Sequence, residues 1–265
     1  MKKFFLITVL VAVLSFNSVV FAQDNSLNDK LFQVALLQSL MQGEYNGVIT
    51  VADLKNYGDT GIGTFQSVNG EMIVLDGNVY QALWDGSVKI ASDDETVPFS
   101  NVTFFEPDVT RDNVNAASIE ELKNILTSIA TEHGRNQFYM AKVTGKFPLM
   151  NVRSELPQKE PFKHLNDALK TDQREFSYQD IEGTVVALYC PDYMDGLNTP
   201  GWHLHFISKN KDKGGHVLTL SAENCSVALD VISEFAMIVP NRQSFNDKDL
   251  AADMKKAIQE VEVKN

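Results

Sequence analysis

The sequence predicts an α+β protein, on three observations. Between residues 61 and 90, short runs rich in Val, Ile, Tyr and Phe are separated by Asn69-Gly70, Asp76-Gly77 and Asp85-Gly86. Those dipeptides supply the positive-φ positions of tight hairpins, so the stretch reads as a β-meander. Residues 118–130 carry Ser118 and Glu121 at capping-box spacing before the stripe Ile119, Leu122, Ile125, Leu126 and Ile129, which reads as a helix. From residue 183 onward four strand-like segments return, "GTVVALYCP", "GWHLHFIS", "HVLTLSAE" and "SVALDVISEFAMIVP", and predict a mostly antiparallel sheet or small barrel.

The remaining elements follow in chain order. Lys2 and Lys3, the apolar run from Phe4 to Leu14 and the small-residue "VFA" at 20–22 read as a secretory signal peptide cleaved after Ala22, which predicts export to the periplasm or the medium. Ser15, Asn17 and Ser18 interrupt that run well short of the roughly 20 apolar residues a membrane span needs. Residues 26–43 read as a helix capped by Ser26, carrying Leu27, Leu31, Val34, Ala35 and Leu37 and stopped by Gly43. A short helix follows between Thr50 and Gly58. "VTFFEP" extends the meander, and "NQFYMAKVTGKFPLMNVR" reads as one or two strands. The polar, Pro-containing stretch 154–180 has weak periodicity and marks the expected boundary near residue 155. It separates an N-terminal domain, 23–155, from a C-terminal β domain, 156–265. In the tail, Leu250, Met254, Ala257, Ile258 and Val261 fall on one helical face.

A formal charge of −12 argues against nucleic-acid phosphates as partners and suits a soluble surface; no membrane association is expected once the signal is removed. Two cysteines, Cys190 and Cys225, are too few to frame a chain of 265 residues.

Three of the five histidines lie within "GWHLHFISKNKDKGGH". A strand sends successive side chains to opposite faces, so Trp202, Leu204 and Phe206 enter a core while His203 and His205 project together from the other side. The polar "SKNKDKGG" suits a hairpin loop and returns the chain with His216 beside His205. Three neutral imidazoles on a rigid hairpin suit a divalent transition metal, above all zinc, with a coordination position left open. His133 and His164 sit in polar context and should face solvent. Three further residues stand out as charges in apolar or strand-end settings. Glu71 shares a strand face with Ile73 and Leu75, Arg153 ends an alternating strand and could hold a carboxylate through paired hydrogen bonds, and Glu262 lies in the tail.

"GDTGIGTFQSVNGEMIVLDGNVYQA", "TGKFPLMNVR" and "GWHLHFISKNKDKGGHVLTL" together resemble the alpha-acetolactate decarboxylase family. The resemblance covers nearly all of the mature chain. It implies that the HxH motif with a third histidine eleven positions on, here His203, His205 and His216, binds zinc, and that Thr64, Glu71, Arg153 and Glu262 belong to the site. Glu260 competes with Glu262 for that last position. It further implies two α/β domains, a mixed sheet in the first and a smaller sheet carrying the zinc in the second, as a homodimer. The implied activity is decarboxylation of (S)-2-acetolactate to (R)-acetoin and carbon dioxide. Zinc would chelate the hydroxyl and ketone oxygens and stabilise the enediolate, with Arg153 on the anionic end and Glu71 or Glu262 as proton donor. A zinc-hydroxide hydratase or hydrolase, a cupin-like metal site, and a secreted zinc-binding protein without catalysis remain alternatives on the histidines alone.

Overall fold

The computed structural model describes residues 29–258 and Val261; the expected signal peptide, Glu260 and Glu262 lie outside the described residues. The chain forms β1 (Lys30–Val34), α1 (Leu37–Met41), β2 (Ile49–Thr50), α2 (Val51–Leu54), β3 (Thr60–Thr64), β4 (Glu71–Leu75), β5 (Asn78–Ala82), β6 (Val88–Ile90), β7 (Thr96–Val97) and β8 (Phe99–Thr103). There follow β9 (Val109–Ala116), α3 (Ile119–Thr131), β10 (Phe138–Glu155), α4 (Leu165–Asp172), β11 (Gln173–Cys190), β12 (Gly201–Ser208), β13 (Gly214–Ile232), β14 (Glu234–Ile238), α5 (Gln243–Asn246) and α6 (Lys255–Ile258).

A seven-stranded mixed sheet runs β14-β1-β8-β3-β4-β5-β6, in which only the β1–β14 pair is parallel. The predicted meander forms its β3–β4–β5–β6 portion, and Gly70, Gly77 and Gly86 all take positive φ at the turns. The second sheet is antiparallel, in the order β10-β11-β12-β13-β9, and β10 also pairs with β13. Strands β10 to β13 therefore close on themselves as a small barrel, with β9 attached outside. The sheets do not part at a single point of the chain. The segments 109–116 and 138–155 belong to the barrel sheet, and β14 returns from it to lie beside β1.

Among the apolar clusters of the described residues, three position the site. Tyr139, Phe147, Trp202, Leu204, Phe206 and Val217 fill the barrel with α3 packed against it. A second cluster joins the sheets, with Leu31, Ile62 and Ile73 from one and Met140, Val186 and Ile207 from the other. A third gathers α1, α4 and α6 around Val68 and Phe99, at the end of the molecule where the histidines lie.

Several expectations differ from the structure. The helix expected over residues 26–43 is β1 followed by the short α1. β1 lies between β14 and β8, so Leu31 to Val34 are all buried and their apolar run is that of an interior strand. Buried Gln33 is accommodated because its amide donates to the Ala35 and Leu197 carbonyls and accepts from Asn198. The weakly periodic polar stretch 154–180, at the expected boundary, carries regular structure. It contains α4 and the exposed first half of β11, whose charged side chains face water. The second-half segments also join differently, since "HVLTLSAE" and "SVALDVI" are one 19-residue strand. Helix α3 matches its expected span; the Ser118 hydroxyl accepts from the Glu121 amide, and the Glu121 carboxylate accepts from Ala117 rather than Ser118. Among the described residues of the tail, α6 spans Lys255–Ile258, with Leu250 outside it.

Asp230 is an exception to the apolar filling. It is 1% exposed on β13, its Oδ2 accepts only a long 3.4 Å bond from the Glu106 amide, and its Oδ1 has no hydrogen-bond partner among the described residues. Burial first, then the charges of Asp108, Asp29 and Glu106, push its pKa up to about 8. The unfolded chain releases this proton near pH 4, roughly the value of an unperturbed aspartate. The native state holds the proton that the unfolded state has lost, so this contribution is complete below pH 4 and declines as pH rises towards 8. Asp230→Asn is expected to be more stable than wild type at pH 7–8 and to lack that decline. Urea midpoints measured across pH 4–9 test this, and parallel profiles for the two proteins would contradict it.

Candidate metal centre

Strand register brings the three histidines together. His203 and His205 stand two apart on β12, facing away from the Trp202–Leu204–Phe206 side that fills the barrel. The hairpin loop returns β13 so that His216 pairs directly with His205, while on its other edge His216 pairs with Arg153 of β10. The close approach of β13 and β10 requires glycine at position 215: φ is +148°, and a Cβ there would meet the Arg153 carbonyl oxygen. One residue earlier in β10 the pairing slips at Asn151/Val152, a bulge of the kind that re-aims a side chain.

The ring nitrogens converge. His203 Nε2 lies 3.0 Å from His216 Nδ1 and 3.1 Å from His205 Nε2, and one ligand atom from each ring falls within 4.8 Å of the others. Neighbouring ligands of a tetrahedral zinc with bonds of roughly 2.0–2.1 Å are about 3.3 Å apart, so the spacing fits such an ion. His205 Nδ1 donates a 2.8 Å hydrogen bond to the Met72 carbonyl oxygen, which fixes the tautomer and leaves Nε2 its lone pair. All three rings are buried. Desolvation lowers the pKa of His203 to about 3, and that of His205 and His216 well below the usual value, with the nearby Arg153 charge adding to the effect. Held neutral, the rings are in the state that binds a metal. The donor set and its geometry therefore fit a divalent transition metal.

Charged groups flank the rings. Glu71 comes from β4 of the other sheet, one residue before Met72, and its Oε2 lies 3.5 Å from His205 Nε2. Arg153 Nε is 4.0 Å from Glu71 Oε1 and 3.4 Å from Glu155 Oε1, and the arginine and both carboxylates are more than nine-tenths buried. Thr64, paired with Glu71 across β3–β4, donates its hydroxyl to the Gly70 carbonyl and so braces the turn that presents Glu71. These residues and the histidines line one small cavity of about 40 Å³, whose other walls are Leu40, Ile62, Val68, Phe99, Leu165 and Leu169. That is more than the roughly 10–15 Å³ a single water requires. Arg153 and Leu169 also line a wider adjoining groove of about 640 Å³.

The family model for alpha-acetolactate decarboxylase matches residues 31–252. The chain belongs to the alpha-acetolactate decarboxylase family. It is 40% identical to the alpha-acetolactate decarboxylase of Methanosarcina mazei over 239 residues, covering 90% of this chain and 82% of that one. It is 35% identical to the Brevibacillus brevis protein, over 83% of this chain and 76% of the relative. The crystal structure of the Bacillus subtilis strain 168 alpha-acetolactate decarboxylase superposes with a TM-score of 0.84 at 31% identity, covering 88% of this chain and 99% of that chain.

Of the residues expected at the site, His203, His205, His216, Glu71, Arg153 and Thr64 meet around the one cavity, while Glu262 lies outside the described residues. His133 and His164 are exposed, and both cysteines are buried free thiols. Glu155 went unrecognised in the sequence. A usable signal exists, because Glu155 follows Arg153 by two positions and so shares its face of β10, although it stands at the expected domain boundary where the polar stretch begins.

Removing one imidazole leaves two donors and should release the metal. His205→Ala is expected to lower bound zinc from about one equivalent to near none after dialysis, with loss of activity. Atomic absorption on the purified variant checks this, and retention of a full equivalent would contradict the assignment.

Proposed function

We propose that the chain is a carboxy-lyase that converts acetolactate to acetoin and carbon dioxide, with zinc as the resident metal on His203, His205 and His216. The observation that carries this reading is the union, in one apolar-walled cavity, of three neutral imidazoles with a buried arginine and a buried glutamate. A divalent ion bound there supplies Lewis acidity for the negative charge that develops on the substrate's oxygens when the carboxylate departs.

The chain's own residues account for the remaining requirements. Acetolactate carries one carboxylate, and the Arg153 guanidinium is the positive side chain at the cavity wall; it binds the anionic end and sets the orientation of the bond that breaks. As that bond breaks, carbon dioxide leaves, its former bonding pair stays on the substrate, and a proton must be added at that carbon. Glu71, 3.5 Å from His205 and held on a braced turn, is placed to deliver it from one side. Delivery to a single face is the basis for conversion of the (S) substrate to the (R) product. Leu40, Ile62, Phe99, Leu165 and Leu169 exclude bulk water, which strengthens each charge interaction inside. The groove that shares Arg153 with the cavity offers an approach for the anion.

Support for export comes from residues 1–22 alone, and support for a homodimer from the family resemblance; both belong to this proposal. A second carboxylate at Glu262 is proposed on the same resemblance.

Two variants test the assigned roles. Arg153→Ala should cut kcat/KM for acetolactate by roughly a hundredfold or more, the scale of a lost charge-assisted contact in a dry site, with bound zinc near one equivalent. Steady-state kinetics with metal analysis checks it, and unchanged kinetics would remove Arg153 from the mechanism. Glu71→Gln should lose turnover or return acetoin of mixed handedness by chiral chromatography. Wild-type yield of a single enantiomer would show that another group donates the proton.

A further inference from the structure

We propose that Glu155 is a positioning residue: it holds the Arg153 guanidinium by its Nε edge, so that the arginine presents its terminal nitrogens to the substrate carboxylate instead of collapsing onto Glu71. The inference rests on the reading of Arg153 given above and extends it to a residue outside the sequence motifs.

The geometry supports it in three ways. First, Arg153 and Glu155 are alternate residues on the last turn of β10 pairing, where both side chains leave the same face. The intervening Ser154 points the other way and donates its hydroxyl to the Ala82 carbonyl at 2.7 Å. Ala82 is itself paired with Glu71, so the strand end carrying Arg153 and Glu155 is pinned to the strand pair that carries Glu71. Second, two buried carboxylates compete for one buried cation, and Glu155 is the nearer, at 3.4 Å against 4.0 Å for Glu71. Both approaches are ion-pair contacts to Nε, which has no hydrogen-bond partner among the described residues; a guanidinium has five N–H donors in a rigid fork, so a carboxylate drawn to the Nε edge leaves the Nη end for a second, planar anion. Third, Glu71 is closer to His205 than to Arg153. With Glu155 taking the guanidinium, Glu71 remains on the imidazole side of the cavity, where its proposed work lies.

Charge alone favours the opposite outcome. Removing Glu155 leaves Arg153 less neutralised, and simple attraction would then tighten anion binding. Positioning predicts a loss, because the released guanidinium has a buried carboxylate already within 4.0 Å. The sign of the effect separates the two.

The test compares ligands with and without a carboxylate on the zinc-loaded protein. Acetolactate KM and the inhibition constant of 2-hydroxy-2-methylpropanoate, an unreactive hydroxy acid, report the carboxylate contact; the inhibition constant of acetoin, which lacks the carboxylate, is the control. Glu155→Gln is expected to weaken both carboxylate ligands by roughly ten- to a hundredfold, the range for one charge-assisted contact, and to leave acetoin within about twofold. Glu155→Asp, which keeps the charge on a shorter arm, should fall between Gln and wild type, and it carries the same selective test if the Gln variant does not fold. Equal weakening of all three ligands would make Glu155 merely structural, and unchanged or tighter hydroxy-acid binding would overturn the positioning role. Arg153→Ala is run beside it. If that variant binds the hydroxy acid normally, the reading of Arg153 itself fails. If it loses the hydroxy acid while Glu155→Gln does not, only the assignment of Glu155 fails.

Discussion

Closure of the four-stranded barrel is the constraint on which the site depends. Because β13 pairs with β12 along one edge and with β10 along the other, His216 is fixed opposite His205 and opposite Arg153 at once. Antiparallel pairing has a side-chain period of two, so a one-residue slip of any of these strands would turn its functional group into the barrel core or away from its partners. The apolar face of β12 enforces that register. Trp202, Leu204 and Phe206 are buried in the barrel, and burying such side chains contributes roughly 1.5–3 kcal/mol each. The core thus selects the arrangement in which the imidazoles converge.

The mixed sheet completes what the barrel begins. Met72 accepts the hydrogen bond that sets the His205 tautomer, and the adjacent Glu71 reaches the same ring, so one short strand contributes both the orientation of a ligand and a neighbouring charge. Burying Glu71, Arg153 and Glu155 together would be costly if any stood alone; as a contiguous group they offset one another, and the apolar walls strengthen their mutual attraction. The deep burial that keeps the histidines neutral is the same feature that makes an arginine effective against a small anion.

Much of this was legible in the sequence because it depended on local rules. The alternation of "WHLHF" separates core from site, the Asp-Gly and Asn-Gly dipeptides mark the meander, and Ser118 starts α3. What escaped depended on tertiary placement. Residues 30–34 form a strand because two other strands sandwich them, and a short run buried on both faces, Gln33 included, carries no alternation to announce it. The first half of β11 is polar because it lies at the exposed part of the barrel, so its composition shows weak periodicity where there is a paired strand. β14 joins the mixed sheet by a long-range parallel pairing that no local pattern encodes. Glu155 was missed for a related reason, since a charge next to a Pro-containing polar stretch looks solvated until the fold buries it beside Arg153.

Anomalous diffraction at the zinc absorption edge, on crystals of the zinc-loaded protein, tests the central claim most directly. The account predicts one site per chain, ligated by a ring nitrogen from each of His203, His205 and His216, with a coordination position open towards Arg153. A zinc ion bound elsewhere, or one saturated by four protein ligands and closed off from Arg153, would contradict it.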